Sequence, residues 1–409
     1  MKLDVAKVRE DFPVLSRIVN GKPLTFLDSG ASSQKPRQVV EAMSEYYFHH
    51  HANVHRGAHT LSVEATEMYE AARAEVAGFI GAQDPEGLVF VRNTTEAINL
   101  VAGSWGRANL REGDEVVITV AEHHANIVPW QLLAEERGVV VKAAGLTPDE
   151  TVDVADLERL VGPRTKLVAT FHVSNVLGSV NDVERIAGIA HAAGALLLVD
   201  GAQAVPHVPV DVQALGCDFY AFSAHKMLGP TGIGALWGRP EILAGMPPYM
   251  GGGEMISRVT LEGTTYAPPP KRFEAGTPAI AEAVGFAEAV RYLRRLGMDA
   301  VRRHDQALVE RATARLQDVA GVRVIGPVSG RVGLVSFVVD GIHAHDLATA
   351  LDLAGVAVRA GHHCAQPLGR ALGVAASTRA SFYIYNELRE VDIFADALQE
   401  TLAHFAAIA

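Results

Sequence analysis

The chain has 409 residues, a formal net charge of -11, 49% hydrophobic and 20% charged residues, and two cysteines. This length and composition are those of a folded protein whose core exceeds one small domain, so we expect two domains. The basic residues form no block that could follow a phosphate backbone, no apolar run reaches the length of a membrane span, and two cysteines cannot build a disulfide framework. We therefore expect neither a nucleic acid partner nor insertion in a membrane.

Residues 1–12 have an amphipathic pattern in which Asp4 is placed to cap a short helix. The segment lacks the apolar core and the small-residue cleavage site of a signal peptide. We therefore expect an N-terminal helix and a protein of the cytoplasm.

Between residues 24 and 237, short apolar runs rich in β-branched residues alternate with stretches of helical period. This alternation predicts an α/β domain with a mostly parallel sheet covered on both faces. The predicted strands are 24–27, 88–91, 116–119, 139–142, 167–171, 196–199, 219–222 and 235–237. The predicted helices between them include 62–77, 127–136 and 183–193.

The second part of the chain has a different pattern. Residues 251–276 cluster Gly, Pro and Thr without helical period, which predicts a long excursion kept for function or assembly. Helices are predicted at 281–295, 299–319, 344–354 and 387–407, and strands at 322–325, 334–339, 356–359 and 380–385. We expect a large domain of residues 18–295 and a smaller α+β domain of residues 1–17 and 296–409.

Polar side chains cluster where the predicted parallel strands end, which is the edge at which open α/β sheets bind ligands. In chain order these residues are His123, Asn175, Asp200, Gln203, Ser223, His225 and Lys226. Pyridoxal phosphate requires a lysine for a Schiff base, an acid against its pyridine nitrogen, and ligands for its phosphate. We interpret Lys226 as the lysine and Asp200 as the acid.

The other strand-end residues complete this interpretation. We expect Gln203 to hydrogen-bond the ring oxygen, His123 to stack on the ring, and Ser223 and His225 to lie at the phosphate end. Each residue taken alone is typical of ordinary structure, such as a core histidine or a solvated lysine. Their joint occurrence at strand ends favours the cofactor site.

Thr94 and Thr95 open a predicted helix at 97–103, directly after the strand at 88–91. Free amides, hydroxyls and the positive end of the helix dipole favour an anion at such a position. An ordinary helix cap is the alternative. We assign both threonines to the phosphate site.

Histidines cluster near two positions of the chain and raise the alternative of a metal protein. They are His49, His50, His51, His55 and His59, together with His362 and His363 beside Cys364. Consecutive histidines cannot share one helix face, no Cys-x-x-Cys pair occurs, and no carboxylate recurs at ligand spacing. We therefore expect no metal site in this chain.

Cys364 lies in a polar, glycine-containing loop after a predicted strand, where a buried structural thiol is not expected. Neighbouring His and Arg side chains favour a nucleophilic thiolate there. Cys217 instead lies in the apolar stretch 215–222, where we expect a small buried hydrophobe. Arg379, at the start of the last predicted strand, can pair with a substrate carboxylate, and a surface arginine is the alternative.

Seven segments spread over nearly the whole chain resemble the class V aminotransferase-like cysteine desulfurases of fold type I, and specifically their SufS branch. The segments are VHRGAH (54–59), NTTEAIN (93–99), EHHAN (122–126), DGAQ (200–203), FSAHK (222–226), FEAGTP (273–278) and RAGHHC (359–364). The last segment distinguishes this branch from relatives that carry the cysteine on a longer, serine-rich loop.

The resemblance implies a pyridoxal phosphate enzyme that converts L-cysteine to L-alanine and leaves the sulfur as a persulfide on Cys364. Lys226 and His123 would be the other catalytic residues. A homodimer is implied, in which Thr277 of one subunit reaches the phosphate bound by the other. The implied substrate contacts are Asn175, Arg359, Arg379 and His55. The sulfur would supply iron–sulfur cluster assembly, and selenocysteine would be a second substrate.

The segment HAHD (343–346) opens the helix that precedes the Cys364 loop. One interpretation makes both histidines solvated residues of a helix start, with Asp346 complementing the dipole. The resemblance favours a small zinc-bearing sulfur acceptor of the SufU type over a SufE-type acceptor, with His345 offered to the zinc of that partner.

Two other functions use part of the same residues. An aminotransferase or kynureninase-like lyase on the same fold would need the ring contacts and no thiol, so Cys364 distinguishes it. A non-enzymatic metal or sulfur carrier would contain no cofactor that absorbs visible light.

Overall fold

A computed structural model describes residues 3–408 of the chain. Over these residues the fold contains a seven-stranded sheet and a four-stranded sheet, with three two-stranded sheets beside them. The strands are β1 (Ile18–Val19), β2 (Lys22–Pro23), β3 (Thr25–Phe26), β4 (Leu88–Val91), β5 (Glu115–Thr119), β6 (Val140–Ala144), β7 (Thr165–Phe171), β8 (Leu196–Asp200), β9 (Phe219–Ser223), β10 (Gly234–Gly238), β11 (Ile256–Val259), β12 (Thr264–Tyr266), β13 (Val322–Ile325), β14 (Leu334–Val339), β15 (Val356–Ala357), β16 (Arg359–Gly361) and β17 (Ser377–Ser381). The helices are α1 (Val5–Glu10), α2 (Arg37–Glu45), α3 (Thr60–Phe79), α4 (Thr94–Leu100), α5 (Arg107–Asn109), α6 (Val128–Arg137), α7 (Val154–Leu160), α8 (Val183–Ala192), α9 (Val212–Leu215), α10 (Pro240–Gly245), α11 (Ile280–Leu296), α12 (Met298–Gln317), α13 (Ala344–Leu353), α14 (Gln366–Ala371) and α15 (Leu388–Ile408).

The large sheet has the strand order β4-β10-β9-β8-β7-β5-β6. Only β10 runs antiparallel to its neighbours, so the other six strands share one direction. Their carboxyl ends therefore meet at one edge of the sheet, where the predicted site residues follow. The predicted α/β fold with a mostly parallel sheet is confirmed.

Both faces of this sheet are buried. Along β4, Leu88 and Phe90 join the apolar cluster that includes α3, α8 and α11, while Val89 and Val91 join the cluster that includes α4 and α6. Successive side chains of a strand point to opposite faces, so a strand with helices on both sides must be apolar throughout. Each such side chain stabilises the fold by about 1.5–3 kcal/mol when fully buried.

The smaller unit is an antiparallel sheet of order β13-β14-β17-β16, covered by α12, α13 and α15. This is the predicted smaller α+β unit. The chain therefore has the two-part architecture of fold type I, with the Cys364 loop leaving the edge strand β16 of the smaller sheet.

The strand at residues 24–27 is not part of the large sheet, which corrects our prediction. Its observed part, β3, pairs in parallel with β15, and Leu27 packs into the core of the smaller unit. A two-residue strand can join either sheet, and only the distant partner decides which. The division of the chain at residues 18 and 295 stays a prediction.

Two predicted strands of the C-terminal part also differ from the structure. The strand at 356–359 is divided into β15 and β16, which belong to different sheets. The predicted strand at 380–385 overlaps β17 only at residues 380 and 381, and beyond Phe382 the chain turns away from the sheet, where the Tyr383 amide donates to Asn386 Oδ1 at 2.8 Å.

The predicted N-terminal helix is α1, and Asp4 caps it by accepting from the Lys7 amide at 3.2 Å. Residues 1 and 2 of that prediction lie outside the described residues. The predicted excursion at 251–276 contains the hairpin β11–β12, with Leu261 fully exposed at its tip. No helix within residues 3–408 has both the length and the apolar character needed to cross a bilayer.

Candidate active site

A cavity of about 300 Å³ opens at the carboxyl edge of the large sheet, against the smaller unit. Its lining includes every residue predicted to bind cofactor or substrate or to act in catalysis, except Thr277 and His55. These lining residues are Thr94, Thr95, His123, Asn175, Asp200, Gln203, Ser223, His225, Lys226, Arg359, Cys364 and Arg379. Residues from several strand ends and from the smaller unit therefore share one site.

Asp200 and Lys226 are the two buried groups of opposite charge in this cavity. Asp200 ends β8, and a Cβ on the following Gly201 would overlap the Tyr220 ring at 2.1 Å, so only glycine fits there. Burial raises the pKa of Asp200, opposed by Lys226 and by the Ala202 amide, which donates to Oδ1 at 2.9 Å. Burial lowers the pKa of Lys226 to about 8, so part of the amine is neutral near neutral pH, as a nucleophile requires.

The turn that carries Lys226 is held through the carbonyl of the preceding residue, His225. This carbonyl accepts from the Ser33 amide at 3.0 Å and from Lys35 Nζ at 2.9 Å. Burial, Lys226 and Lys35 lower the pKa of His225 to about 4, so its ring is neutral. The contacts fix the backbone from which Lys226 extends.

Thr94 and Ser223 form the end of the cavity at which a phosphate is predicted. The Thr94 amide and hydroxyl both hydrogen-bond Ser223 Oγ, at 2.8 and 2.7 Å. The Glu96 amide donates to Asn93 Oδ1, which leaves the Thr95 amide without a partner in the described part of the chain. A free amide at a helix start beside two hydroxyls is a suitable anion site.

His123 is neutral and its tautomer is determined by the backbone. Its Nδ1 accepts from the Ala125 amide at 3.0 Å, so the proton lies on Nε2. Burial, with Lys226 acting in the same direction, lowers the pKa of His123 to about 3. Gln203, predicted to contact the ring oxygen, uses one N–H to donate to Gly30 O at 2.8 Å and has a second N–H for a ligand.

Arg379 is buried and incompletely satisfied. Its Nη1 donates to Asn175 O at 2.9 Å, Nη2 lies 3.7 Å from Asp28 Oδ1, and Nε has no partner among the described residues. Burial lowers the pKa of Arg379 to about 10. A buried unsatisfied donor costs about 1–3 kcal/mol, so a ligand carboxylate would be stabilised here.

Arg359 lines the same cavity, but Asp28 already pairs with it bidentately, at 2.9 and 2.7 Å. Sequence analysis missed Asp28, which binds Arg359 and faces Arg379. Asp28 directly follows the predicted strand at 24–27, so an inspection of the residues that follow each predicted strand would have identified it. Arg379 is therefore the freer of the two guanidinium groups, and a substrate role for Arg359 stays a prediction.

Cys364 is exposed, and its loop has a strained backbone. His363 and Cys364 have φ of 50° and 57°, the left-handed region that residues with a Cβ seldom adopt. Asn175 Nδ2 donates to His363 O at 2.6 Å, which joins this loop to the large sheet. Cys217 is buried, as predicted, and burial raises the pKa of its thiol.

Thr277 and His55 lie outside the cavity of their own chain. Thr277 is exposed, and His55 Nε2 contacts Glu70 Oε1 at 2.8 Å. A role at the site would require a second copy of the chain, so both assignments stay predictions. His345 is exposed at the start of α13, and residues 3–408 contain no group of three or more His, Cys, Asp or Glu placed to hold a metal ion.

Known proteins are similar to this chain over nearly its full length. The family model for class-V aminotransferases matches residues 25–394. A probable cysteine desulfurase of Halalkalibacterium halodurans is 50% identical over 403 residues, covering 98% of this chain and 99% of that protein. One of Mycolicibacterium paratuberculosis is 51% identical over 396 residues, covering 97% of this chain and 58% of that protein. An apo structure of a cysteine desulfurase from Thermococcus onnurineus has a TM-score of 0.93 and 42% identity, with 99% of each chain covered.

Proposed function

We propose that this chain, which belongs to the aminotransferase class-V family of pyridoxal phosphate-dependent enzymes, takes sulfur from free L-cysteine and receives it on Cys364. The observation that carries the proposal is one cavity lined by Lys226, Asp200, Arg379 and the exposed thiol of Cys364. An aminotransferase or kynureninase-like lyase uses the first three residues and needs no thiol. Cys364 therefore favours a desulfurase.

The lining fits pyridoxal phosphate at three points. Lys226 offers an amine to the aldehyde, and Asp200 offers a buried carboxylate to the pyridine nitrogen. The Thr95 amide and the hydroxyls of Thr94 and Ser223 suit the phosphate. Bound there, the cofactor supplies an electron sink for bond cleavage at the substrate.

The chain's own residues then have separate tasks. Arg379 and Asn175 orient the substrate carboxylate, neutral Lys226 removes the Cα proton, and the Nε2–H of His123 donates a hydrogen bond towards the substrate thiol. The thiolate of Cys364 attacks the substrate sulfur, so an S–S bond forms while the C–S bond breaks. The electron pair of the broken bond stays on carbon, which gains a proton, and L-cysteine plus the thiol become L-alanine plus a persulfide.

The replacement Cys364→Ser tests this function. The variant should keep the visible absorbance of the bound cofactor but lose about a hundredfold or more in alanine formation from cysteine, with no persulfide detected by mass spectrometry. Cys217→Ala, which removes the buried thiol, is the matched control and should form persulfide normally. Alanine production by Cys364→Ser at the wild-type rate would show that the enzyme is a lyase.

We propose selenocysteine as a second substrate because its C–Se bond is weaker than a C–S bond. Cys364→Ser should therefore lose less activity on selenocysteine than on cysteine. Equal losses on both substrates would argue against this extension.

For the sulfur acceptor we propose a zinc-bearing protein of the SufU type rather than a SufE-type protein. His343 caps α13, since its Nδ1 accepts from the His345 amide at 3.3 Å, whereas the His345 ring is exposed. Helix α13 packs against β16, which leads into the Cys364 loop. A neutral imidazole can replace a thiolate at tetrahedral zinc, which would free an acceptor cysteine to take the persulfide sulfur.

The replacement His345→Ala tests the acceptor. It should leave basal turnover unchanged and abolish stimulation by a zinc acceptor, whereas the neighbouring control His343→Ala should retain stimulation. Full stimulation of His345→Ala, or stimulation of the wild type only by a zinc-free partner, would exclude this role.

We also propose a homodimer, supported by the position of Thr277 and His55 outside their own cavity. The proposed destination of the sulfur is iron–sulfur cluster assembly. The proposed compartment is the cytoplasm, whose reducing conditions keep an exposed thiol such as Cys364 free.

A further inference from the structure

His124 contacts the Cys364 loop at two points. Its backbone N–H donates to Cys364 O at 2.7 Å, and its side-chain Nε2 accepts from the Gln366 amide at 3.0 Å. The two hydrogen bonds enclose Cys364 and Ala365 between them. They join the loop that follows β5 to the loop that carries the thiol.

The Gln366 amide needs this acceptor. Helix α14 begins at Gln366, so its amide has no partner within the helix. The preceding Ala365 has no side-chain oxygen to cap the helix, and Pro367 has no N–H. The His124 ring is therefore a cap supplied by another part of the chain.

The Cys364 loop depends on such contacts because its backbone is strained. Left-handed residues other than glycine cost about 1–3 kcal/mol each, and they persist only where the surroundings determine them. Two such residues, His363 and Cys364, are consecutive here. Asn175 holds the carbonyl of the first and His124 holds the carbonyl of the second.

The loop that carries His124 is itself fixed by hydrogen bonds among buried side chains. The carboxyl group of buried Glu122, whose pKa is raised by burial to about 8, accepts from Thr119 Oγ1 at 2.6 Å and from Asn126 Nδ2 at 2.8 Å. Trp130 Nε1 in turn donates to Asn126 Oδ1 at 3.1 Å. These contacts fix both ends of the loop that carries His124, between β5 and α6. His124 can therefore hold the Cys364 loop in one position.

We propose that His124 is a positioning residue that keeps the thiol of Cys364 aimed into the cavity by capping α14 at Gln366. The inference rests on the proposed function, because it concerns the attack of that thiol on the substrate sulfur. The ring must be unprotonated to accept a hydrogen bond, and burial, with His362 acting in the same direction, lowers the pKa of His124. The adjacent His123 lines the cavity, so a single loop positions both the cofactor-facing imidazole and the thiol.

The test compares His124→Gln with His124→Asn in the cofactor-loaded enzyme. The glutamine Oε1 can take the place of Nε2 as acceptor, whereas the asparagine side chain is too short. In His124→Asn, persulfide formation in a single turnover should fall about fivefold to tenfold, the loss expected for one hydrogen bond, with the cofactor absorbance and the KM for cysteine within about twofold of wild type. Hydrogen exchange of the peptide 362–371 should accelerate in this variant, and His124→Gln should restore both properties.

Gln131→Ala is the matched control, since Gln131 lines the same surface groove as His124 and Gln366. It should resemble the wild type in both measurements. Equal behaviour of the Gln and Asn variants, or faster exchange with an unchanged persulfide rate, would overturn the proposal. A wild type that forms no persulfide would instead refute the proposed function, and the exchange measurement on the resting enzyme would still decide whether His124 holds the loop.

Discussion

The amine of Lys226 is buried beside the carboxylate of Asp200, and burial lowers its pKa to about 8. Only the neutral amine can attack an aldehyde, so in cofactor-depleted protein the rate of Schiff-base formation should rise about tenfold per pH unit below pH 8 and level off above it. Stopped-flow absorbance after mixing with pyridoxal phosphate measures this rate. Lys226→Ala should not develop the absorbance band of the Schiff base. A rate of Schiff-base formation independent of pH between 6 and 8 would contradict the prediction.

A second prediction at the scale of single residues concerns the buried carboxylate of Asp200. Asp200→Asn keeps the shape of the side chain and an oxygen that can accept from the Ala202 amide. A neutral amide cannot hold a proton on the pyridine nitrogen, so removal of the Cα proton should slow by orders of magnitude. Exchange of the substrate Cα proton in deuterated water measures this step, with the bound-cofactor absorbance as the folding control. A change below about tenfold, or about 1.4 kcal/mol, would show that the ring is protonated in another way.

At the scale of elements, helix α3 is joined to the segment before α11 by a buried ion pair. Arg73 and Glu274 are 2% and 7% exposed, with contacts at 2.6 and 2.9 Å between their nitrogens and oxygens. The Phe90 amide and the Tyr69 hydroxyl also donate to this carboxylate. Glu274 lies three residues before Thr277, so the pair holds the segment that leads to Thr277.

Arg73→Met should destabilise the protein by about 3–5 kcal/mol because it leaves the Glu274 charge buried without a counter-ion. Arg294→Met is the matched control, since Arg294 is 42% exposed and its pair with Glu75 should contribute below about 1 kcal/mol. Denaturant unfolding of both variants measures the difference. Equal losses of stability in the two variants would show that the buried pair contributes no more to the free energy of unfolding than the exposed pair.

At the scale of the whole molecule, large apolar side chains are exposed within residues 40–63. They are Val40, Tyr47, Phe48, Leu61 and Val63. These residues lie on α2, on the start of α3 and on the segment 46–50, which contacts both helices, and an exposed apolar patch is typical of a protein–protein interface. Together with the position of Thr277 outside its own cavity, they support the proposed homodimer.

Phe48→Glu should therefore convert the proposed dimer to a monomer, because it places a charge on a side chain that is 78% exposed in the single chain. Activity should fall in parallel if Thr277 of the partner binds the phosphate. Leu353→Glu is the control, since Leu353 is 65% exposed at the end of α13 and should not alter assembly. Analytical ultracentrifugation measures the state, and a dimeric Phe48→Glu variant would place the interface elsewhere.

The sequence by itself determined the mostly parallel sheet and most of the residues that line the cavity at its carboxyl edge. Strand interiors such as Leu88–Val91 are apolar on both faces, a local property that can be read from residue order. Because parallel strands end at a common edge, His123, Asp200 and Lys226 could be placed together without knowledge of the strand order. The cofactor was inferred from these strand-end residues, and the role proposed for Cys364 came from motifs that lie within single short segments.

Only the tertiary structure decided which distant segments meet. Periodicity shows which side of a segment is buried, but it does not show which partner buries it, so β3 was placed in the wrong sheet. The pairing of Asp28 with Arg359 and the contact of His124 with Gln366 join residues more than 200 positions apart. No local pattern encodes such contacts, because they arise from the packing of the smaller unit against the edge of the large sheet.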